Sequence, residues 1–519
     1  MSAFIEAMGR VPDLLAAHLL VAASALLLGL VISLPLAVWS ARHPSVARVS
    51  LGFASLVQTI PSLALLALFY PLLLSLSALL GGGIPALGFL PSLLALTLYA
   101  LLPILRNGIT GLNGLDPAVI EAADGVGMTP GQKLRLVEAP LVAPVLMAGI
   151  RTAAVWTIGA ATLSTTVGQP SLGDMIFAGL QTQNWALVLA GCLSAAGLAL
   201  AVDALLGVIE HGIRHRRRAQ IWIAAAVLAL GVGVALAPLW PRAGDDKVLT
   251  IGAKGFSEQF ILARLIGHKL ERAGYRVRYR EGLGSAVVFG ALKSNDIDVY
   301  VDYSGTVWAN EMRRSDVPDR AAMLRQIGAW SQQKFGVTLL GSLGFENAYA
   351  FAMRGDDAAR RGIVSLDDLV AAAPALDFAA DLEFLERPEW AAVKRAYPLK
   401  FKSAHAYAPT FMYRALDSKQ GDVISAFSSD GRIAAQKLTV LSDPRRAIPS
   451  YDAIVLVSRR ASRDQKLRDA LRPLIARIPV AAMREANYMV DRDDDKATPE
   501  QAARWLEKKV GLERRTGVR

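Results

Sequence analysis

Within the first 240 residues ionisable side chains are rare, and two of them lie inside apolar runs long enough to cross a membrane. These two are Arg151 and Asp203, and the uncharged polar residues in such runs include Gln58, Thr59 and Thr152. An ionisable residue at membrane depth is a functional candidate by default. The sequence leaves two interpretations open for Arg151 and Asp203. They line a translocation path, or they lie near the membrane surface and extend their charges into water.

The second chemically distinctive stretch is a polar run between two apolar segments, residues 121–140, which reads EAADGVGMTPGQKLRLVEAP. A polar run between two membrane spans must lie in water, because the hydrocarbon core cannot satisfy its polar groups. Its pattern predicts a short helix over 117–124, a glycine-rich turn over 125–131 and a second helix that begins at Lys133. A compact polar segment of this kind is typical of a docking element for another protein.

Several kinds of chemistry are excluded by residue type and spacing. The phosphate-binding pattern GxxxxGK[ST] is missing, since GMTPGQKL at 127–134 lacks its spacing, and we expect no ATP hydrolysis by this chain alone. The six histidines are scattered and the single cysteine, Cys192, lies in an apolar run, so we expect no metal site, no cofactor and no internal disulfide. Basic and acidic residues are interspersed, so the net charge of +11 does not predict nucleic-acid binding.

The two halves of the chain differ in composition. Residues 1–240 contain 11 Lys and Arg and 9 Asp and Glu, whereas residues 241–519 contain 45 and 36. The long apolar runs behind the mean hydropathy of +0.35 lie almost wholly in the first half. We therefore predict an α-helical membrane domain over 1–240, with about six transmembrane helices, followed by a charged soluble domain over 247–519.

Six apolar runs are the candidate spans, and they cover residues 19–41, 51–80, 85–105, 141–167, 185–209 and 221–239. The first lacks a basic start and a small-residue cleavage site, so we interpret it as a retained span. The second is interrupted by Pro61 and Pro71 and ends at the glycines 81–83. It is either one kinked span or a span plus a re-entrant segment.

Basic residues in the short loops predict the orientation of these spans. The loops 42–50, 106–140 and 210–220 all carry Lys or Arg, whereas 81–84 and 168–184 carry none. The first group is therefore expected on the cytoplasmic side. Six spans then place both termini and the soluble half outside, and the polar run inside the cell.

The soluble half begins after a change of composition at 238–246 and alternates strands with helices. Strands are predicted at 248–252, 275–281, 297–300, 348–354 and 377–380, and helices at 257–273, 285–294, 366–373 and 388–396. This alternation favours α/β lobes with parallel sheets. The set repeats from about residue 347 to 450, which predicts a two-lobed clamshell binding domain.

The polar run resembles the EAA loop of bacterial ABC-importer permeases, in which EAA is followed by a glycine and a proline at fixed spacing. The matching residues are Glu121, Ala122, Ala123, Gly127 and Pro140. Val137 replaces isoleucine, and Ala139 stands where leucine is usual. In that family the loop docks on a separate ATPase, and two membrane domains form each transporter. The resemblance therefore implies a homodimer that is bound to an ABC ATPase subunit.

Blocks of the soluble half are similar to the glycine betaine/carnitine/choline-binding proteins of ABC importers. These blocks are IGAKGFSEQFILARL, ALKSNDIDVYVDYSGT, LGFENAYAFAM and DGRIAAQKLTVLSD. The resemblance implies a periplasmic-binding-protein-like clamshell fused to its permease in a bacterial inner membrane, with the clamshell outside. The implied function is import of quaternary ammonium osmolytes.

The resemblance also implies the residues of a site. The family's aromatic cage falls on Tyr303, Tyr349, Phe427 and Tyr451, and its carboxylate-binding positions fall on Lys254, Thr306 and Arg387. Aromatic faces suit a methylated ammonium, which has no hydrogen to donate. Phe427 departs from the usual tyrosine and leaves open a different betaine, such as a histidine-derived one. A membrane-tethered sensor is the other alternative, although a sensor has no use for an ATPase dock.

Asp302 and Arg387 each allow a second interpretation. Asp302 adjoins the cage and either attracts the cation or caps the turn that follows it. Arg387 either holds a ligand carboxylate or forms a surface ion pair with Glu383 or Glu386.

Overall fold

The computed structural model describes residues 2–80, 84–181, 184–236, 248–314, 316–381, 384–407, 409–492 and 494–512. The chain divides into two compact units, which are described separately. The first comprises Met1–Phe177 and Trp185–Ala243, and the second comprises Ala178–Asn184 and Gly244–Arg519. The glycines 81–83, which end the second apolar run, and the composition change at 238–246 lie outside the described residues.

Helices are the regular secondary structure of the described residues of the first unit. Its helices are Ser2–Met8, Val11–Arg42, Pro44–Thr59, Ser62–Leu79, Phe89–Asn113, Pro117–Gly125, Pro130–Lys133, Ala139–Ala161, Gly173–Gln181, Trp185–Arg214 and Arg218–Leu236. A π-helical turn at Leu134–Glu138 and a 3-10 turn at Thr162–Val167 extend the helix Ala139–Ala161 at its two ends. The described residues therefore form an α-helical domain, as predicted.

Five stretches of helix in the described residues are long and apolar enough to cross a membrane: Val11–Arg42, Phe89–Asn113, Pro130–Val167, Trp185–Arg214 and Arg218–Leu236. A sixth candidate is the pair Pro44–Thr59 and Ser62–Ser77, bent by 103°. The bend follows from Pro61, because a residue before proline is pushed out of the helical region, and Ile60 has ψ 126°. Pro71 lies inside its helix and does not end it.

Small residues allow the helices of the first unit to approach closely. A Cβ atom on Gly149 would lie 2.6 Å from the carbonyl oxygen of Pro103, and one on Gly108 would lie 2.9 Å from Cβ of Ala37. These contacts join the helices Val11–Arg42, Phe89–Asn113 and Ala139–Ala161. Contacts between small residues are typical of membrane helices, where packing rather than the hydrophobic effect drives association.

The second unit contains two five-stranded sheets, each the centre of one lobe. The strands are β1 Val248–Lys254, β2 Arg276–Leu283, β3 Val299–Tyr303, β4 Thr338–Glu346, β5 Tyr349–Arg354, β6 Asp377–Asp381, β7 Ser403–Tyr407, β8 Val423–Phe427, β9 Leu438–Val440 and β10 Asp452–Val457. The first sheet has the order β2-β1-β3-β10-β4, and the second has the order β7-β6-β8-β5-β9. The chain passes between the sheets after β4 and again before β10.

The prediction of parallel sheets is wrong for part of each sheet. β1 pairs parallel with β2 and β3, and β6 pairs parallel with β7 and β8. In contrast, β10 is antiparallel to β3 and β4, and β5 is antiparallel to β8 and β9. The exceptions are strands that enter a sheet from the other lobe rather than through a crossover helix, so nothing requires them to run parallel with their neighbours.

Helices cover both sheets of the second unit. They are Ser257–Arg272, Ser285–Ser294, Ser304–Thr306, Arg320–Phe335, Gly355–Arg361, Leu366–Ala372, Pro388–Ala396, Pro409–Asp417, Arg432–Ala435, Gln465–Leu471, Val480–Asp491 and Pro499–Lys509. The four predicted helices are confirmed to within one residue. The third strand was predicted at 297–300 but runs over Val299–Tyr303. It continues past residue 300 because the charged Asp302 is buried within the strand rather than exposed beyond its end.

Candidate ligand-binding site

The candidate site lies where the chain passes between the two lobes. Tyr349 begins β5, Phe427 ends β8, and the two residues are directly paired across the second sheet. Tyr451 immediately precedes β10, and its carbonyl oxygen accepts a hydrogen bond of 2.9 Å from Asn347 N. Ligand sites occur preferentially at such junctions between lobes.

Four rings from this junction form what we call the aromatic cluster: Tyr349, Phe384, Phe427 and Tyr451. The Tyr349 ring centroid lies 4.7 Å from Phe384, 5.1 Å from Phe427 and 6.0 Å from Tyr451, and the last contact is edge-on. The structure thus brings together three of the four predicted aromatic residues. Phe384 was missed because nothing in its sequence neighbourhood distinguishes it from a core residue.

Arg387 lies against the aromatic cluster. Its Cζ is 5.3 Å from the centroid of the Tyr349 ring, and its Nε and Nη2 donate to the two carboxylate oxygens of Glu389 at 3.2 and 3.1 Å. Nη2 also lies 3.5 Å from Thr306 Oγ1 and 3.4 Å from the Tyr451 hydroxyl. The alternative of a surface ion pair is therefore wrong for the described residues, since Arg387 is only 8% exposed. Glu383, one of the two residues considered for this ion pair, lies outside the described residues.

Glu389 completes this group of polar side chains. It is buried, and it accepts a short hydrogen bond from the Tyr451 hydroxyl as well as the contacts from Arg387. Burial raises the pKa of Tyr451 well above its usual range, so its hydroxyl stays protonated and donates. The carboxylate of Glu389 thus balances the buried guanidinium next to the aromatic rings.

Tyr303 and Lys254 contact a different set of residues at the end of the first sheet. The Tyr303 ring stacks 6.2 Å from Phe256, and its hydroxyl donates to Glu258 at 2.6 Å. Lys254 Nζ forms a buried ion pair of 2.5 Å with Asp302. Asp302 thus balances Lys254 and also accepts a hydrogen bond from the backbone N–H of Tyr303, the first residue of the turn that it was considered to cap.

An open cleft, which we call the polar cleft, adjoins both sets of residues and encloses about 500 Å³, part of it open to solvent. Phe427 belongs to the aromatic cluster and also lines this cleft. The lining comprises Phe256, Ser257, Glu258, Asn347, Phe427, Ser429, Asp430, Arg432, Asn487 and Asp491. Most of these residues are polar, and apart from Phe427 none was predicted as a site residue.

Negative charge predominates in the polar cleft. Asp430 forms an ion pair of 2.6 Å with Arg432, while Asp491 accepts a short hydrogen bond from Ser257. Burial raises the pKa of Asp491 to about 6, with Arg432 opposing and Asp430 reinforcing the shift. Burial also raises the pKa of Glu258, although Ser429, Tyr303, Asn487 and Asn347 donate hydrogen bonds to it. Above pH 6 the cleft therefore carries an excess of carboxylate, which attracts a cation.

In the first unit the polar run 121–140 comprises the end of the helix Pro117–Gly125, a turn, and the start of the continuous helical stretch Pro130–Val167. The helix Pro117–Gly125 is capped by Asp116, and the second helix begins at Pro130 rather than at the predicted Lys133. The earlier start follows from Thr129, whose backbone and side chain form a reciprocal capping box with Gln132. Lys133 instead forms an ion pair of 2.8 Å with Asp124 across the turn.

Within this loop Glu121, Ala122 and Pro140 are exposed, and Ala123 is buried. Gly127 has φ +77°, a conformation that L side chains rarely adopt, and it reverses the chain between the helices. Four of the five positions that match the EAA pattern are thus exposed, and Ala123 is buried.

Arg151 pairs with Asp203 through two parallel bonds of 2.8 Å and with Glu210 through a bond of 2.9 Å. These bonds connect the helix Ala139–Ala161 to the helix Trp185–Arg214. The two ionisable residues singled out from the sequence are thus partners of one another.

Comparisons with known proteins assign both units. Residues 247–508 match the substrate-binding domain of the ABC-type glycine betaine transport system, and residues 29–215 match the binding-protein-dependent transport system inner membrane component. The chain therefore belongs to these two families and is a membrane permease fused to its own substrate-binding domain.

Three relatives illustrate this assignment. An ergothioneine transport permease/ergothioneine binding protein of Helicobacter pylori is 29% identical over 458 residues, covering 85% of this chain and 80% of the relative. The choline transport system permease protein of Bacillus subtilis is 40% identical, covering 37% of this chain and 84% of the relative. An osmoprotectant import permease of Salmonella typhimurium is 41% identical, covering 38% and 89%.

Proposed function

We propose that this chain imports small quaternary ammonium compounds, such as glycine betaine, choline or carnitine, with ATP hydrolysis supplied by a separate subunit. One observation carries the proposal: the aromatic cluster already accommodates a delocalised cation, the Arg387 guanidinium, 5.3 Å from the Tyr349 ring. A trimethylated ammonium is likewise a diffuse cation without hydrogens to donate, so aromatic faces are its natural partners.

In this proposal a betaine enters the aromatic cluster with its cation against Tyr349, Phe427 and Tyr451. Arg387 moves away from Tyr349 and pairs with the ligand carboxylate, as Arg commonly does through two parallel bonds. Thr306, which lies 3.5 Å from Arg387, adds a hydroxyl at the same end. Tyr303 and Lys254 complete the site when the ligand spans the lobes, and Lys254 must then share its ammonium between Asp302 and the ligand.

A second candidate is a histidine-derived betaine. The Helicobacter pylori relative named for ergothioneine has the same fused arrangement and covers 85% of this chain. Phe427 has no hydroxyl and borders both the aromatic cluster and the polar cleft, so a larger ligand has room to extend into the cleft. A sensor without transport is disfavoured because residues 29–215 match a transport component.

The membrane arrangement follows from the same proposal. We assign residues 1–240 to the permease and 247–519 to the receptor, with its second lobe at about 347–450, on the outer side of a bacterial inner membrane. Glu121, Ala122, Ala123, Gly127 and Pro140 form the dock for the ATPase, and two copies of the chain supply the two membrane domains.

Uptake measurements test the proposal. The chain is expressed together with an ABC ATPase of a glycine betaine importer in bacteria that lack their own osmolyte importers, and uptake of labelled glycine betaine, choline and carnitine is measured. We expect accumulation of at least one of them. Binding to the purified chain without uptake in the cells would support the sensor instead, and neither binding nor uptake would exclude this substrate class.

A further inference from the structure

The turn between two apolar helices of the first unit concentrates positive charge. The helix Trp185–Arg214 ends and the helix Arg218–Leu236 begins with three residues between them, and both helices are long and apolar enough to cross a membrane. A turn this short between two spans lies at the membrane surface, level with the lipid headgroups. We call residues 214–218, which read RHRRR, the basic turn.

Most of the charge of the basic turn is not compensated by carboxylates of the chain. Arg214 forms an ion pair of 3.2 Å with Glu210, which is shared with Arg151. The three consecutive arginines at 216–218 are exposed, and their side chains pair with no residue that the structure describes. Residues 211–244 also contain no Asp or Glu. Three positive charges therefore face the headgroup region without an internal partner.

The backbone of the basic turn is tightly wound and includes a strained arginine. Arg217 N donates to the carbonyl oxygen of Gly212 at 2.7 Å, and Arg216 N donates to that of Ile213 at 3.2 Å. Arg216 has φ +56°, in the left-handed region that glycine ordinarily occupies at the end of a helix. The chain thus carries a charge at a position where the backbone alone favours glycine.

An exposed tryptophan lies next to the basic turn. Trp222 follows Arg218 by one helical turn and is 72% exposed, and tryptophan favours the boundary between hydrocarbon and headgroups. Trp185, at the opposite end of the helix that precedes the turn, is 51% exposed. The loop 168–184 before Trp185 contains no Lys or Arg. Both tryptophans suit a membrane boundary, but only Trp222 has arginines beside it.

We infer that the basic turn is a binding site for anionic phospholipid headgroups, and that the arginines at 216–218 are the residues that contact them. Clustered arginines immediately beside a membrane helix attract anionic lipids, and each guanidinium can bind a phosphate through two parallel hydrogen bonds. A zwitterionic headgroup has the same phosphate, but its own ammonium group is repelled by the arginines. The inference goes beyond the proposed function, because it does not depend on which compound is imported.

Quenching by brominated lipids tests the inference on the full-length chain in phosphatidylcholine vesicles. Part of the lipid is replaced by phosphatidylglycerol or by phosphatidylcholine, each with the same brominated acyl chains. The signals of Trp222 and Trp185 are obtained by subtracting the Trp222→Phe and Trp185→Phe variants from the unmodified chain. We expect brominated phosphatidylglycerol to quench Trp222 equally at a fraction at least threefold lower than brominated phosphatidylcholine. The two lipids should quench Trp185 alike.

Salt and substitutions test whether the arginines cause this preference. An increase in salt from about 0.1 M to about 1 M shortens the screening length from about 10 Å to about 3 Å and should at least halve the preference at Trp222. Replacement of all three arginines at 216–218 by glutamine should reduce it below 1.5-fold. The same change at three exposed arginines of the second unit, Arg325, Arg360 and Arg361, should leave it unaltered.

Three outcomes would overturn the inference. They are equal quenching of Trp222 by the two lipids, a preference of the same size at Trp185, and a preference at Trp222 that persists without the three arginines. If the triple variant fails to fold, the comparison of the two tryptophans and its salt dependence still decide the question. Absence of glycine betaine binding or uptake would count against the proposed function and leave this inference intact.

Discussion

Among single residues, Arg387 has the most direct influence on the chemistry of the aromatic cluster. It is a buried cation that stacks on Tyr349 and is balanced by Glu389. A zwitterionic ligand supplies both a replacement cation for the rings and a carboxylate for Arg387. A purely cationic ligand supplies only the cation. It competes with Arg387 for the Glu389 carboxylate and for the aromatic rings.

Replacement of Arg387 by alanine should therefore separate ligands by charge type. We expect Arg387→Ala to weaken glycine betaine binding about tenfold or more, since a hydrogen bond to a charged group contributes roughly 1.5–3 kcal/mol. Choline should be affected less or bind more tightly, because it has no carboxylate and Glu389 becomes available to it. Calorimetry on the full-length chain measures both, and the control is Arg395→Ala, at an exposed position in the last turn of the helix that follows Arg387. Equal losses for the two ligands would contradict the role given to Arg387.

The polar cleft should make cation binding depend on pH. The pKa of Asp491 is raised to about 6, so this group is charged at pH 7.5 and largely protonated at pH 5. We expect choline, whose charge is constant, to bind less tightly at pH 5 than at pH 7.5, and Asp491→Asn to remove most of that difference. Fluorescence or calorimetric titration at the two pH values measures the effect, and exposed Asp494→Asn is the control.

Protonation of Asp491 does not itself destabilise the folded state. A carboxyl group with a raised pKa in the folded state binds its proton more tightly there than in the unfolded chain. Its protonation therefore adds stability as the pH falls from about 6 towards its ordinary value of 3.8. A pH effect of the same size in Asp491→Asn would show that another group is responsible.

The sequence could indicate individual aromatic residues but not the polar cleft. Glu258 occupies the first turn of the helix Ser257–Arg272, where an acidic residue ordinarily favours the helix dipole and stays in water. It is instead a buried acceptor of hydrogen bonds from Asn347 and Asn487, which lie 89 and 229 residues later in the chain. Contacts at such separations leave no local pattern in the sequence, and the same holds for the Lys254–Asp302 pair.

At the scale of secondary-structure elements, periodicity predicted the helices well and the directions of the strands poorly. Each helix carries its own apolar face, so the sequence of 257–273 or 388–396 is sufficient to identify it. The direction of β10 depends on where the chain returns from the second lobe, which is a property of the topology. Similarly, one helix begins three residues earlier than predicted, because Thr129 forms a capping box with Gln132.

The turn at Gly127 gives the clearest prediction at this scale. A β-branched residue is strained at φ +77°, although no atom would obstruct its Cβ, so Gly127→Val should distort the loop without disturbing the core. We expect uptake to be lost and ligand binding by the purified chain to be unchanged. Gly131→Val, at a glycine of the same loop without positive φ and with equally open surroundings, is the control. Normal uptake by the Gly127 variant would contradict a docking role for the loop.

At the scale of the whole molecule, the charges of the loops predict six spans with both termini outside. The described residues contain five long apolar helices and one bent pair of helices. They allow six membrane crossings only if the bent pair forms a single span. A reporter that is active only in the cytoplasm should therefore be silent when fused after Arg519 and active when inserted in the loop 210–220. Activity at the carboxyl terminus would mean that the bent pair does not cross the membrane.

The most direct test of the proposed function is a methylation series measured on the purified full-length chain. Glycine, sarcosine, dimethylglycine and glycine betaine have the same carboxylate and differ only in the number of methyl groups on nitrogen. An aromatic site favours the methylated cation, with cation–π contacts worth roughly 0.5–2 kcal/mol each, whereas a site of hydrogen-bond acceptors favours the N–H donors of glycine. We predict that affinity rises along the series and is highest for glycine betaine. An affinity that stays constant or falls with methylation would contradict the assignment of a quaternary ammonium substrate.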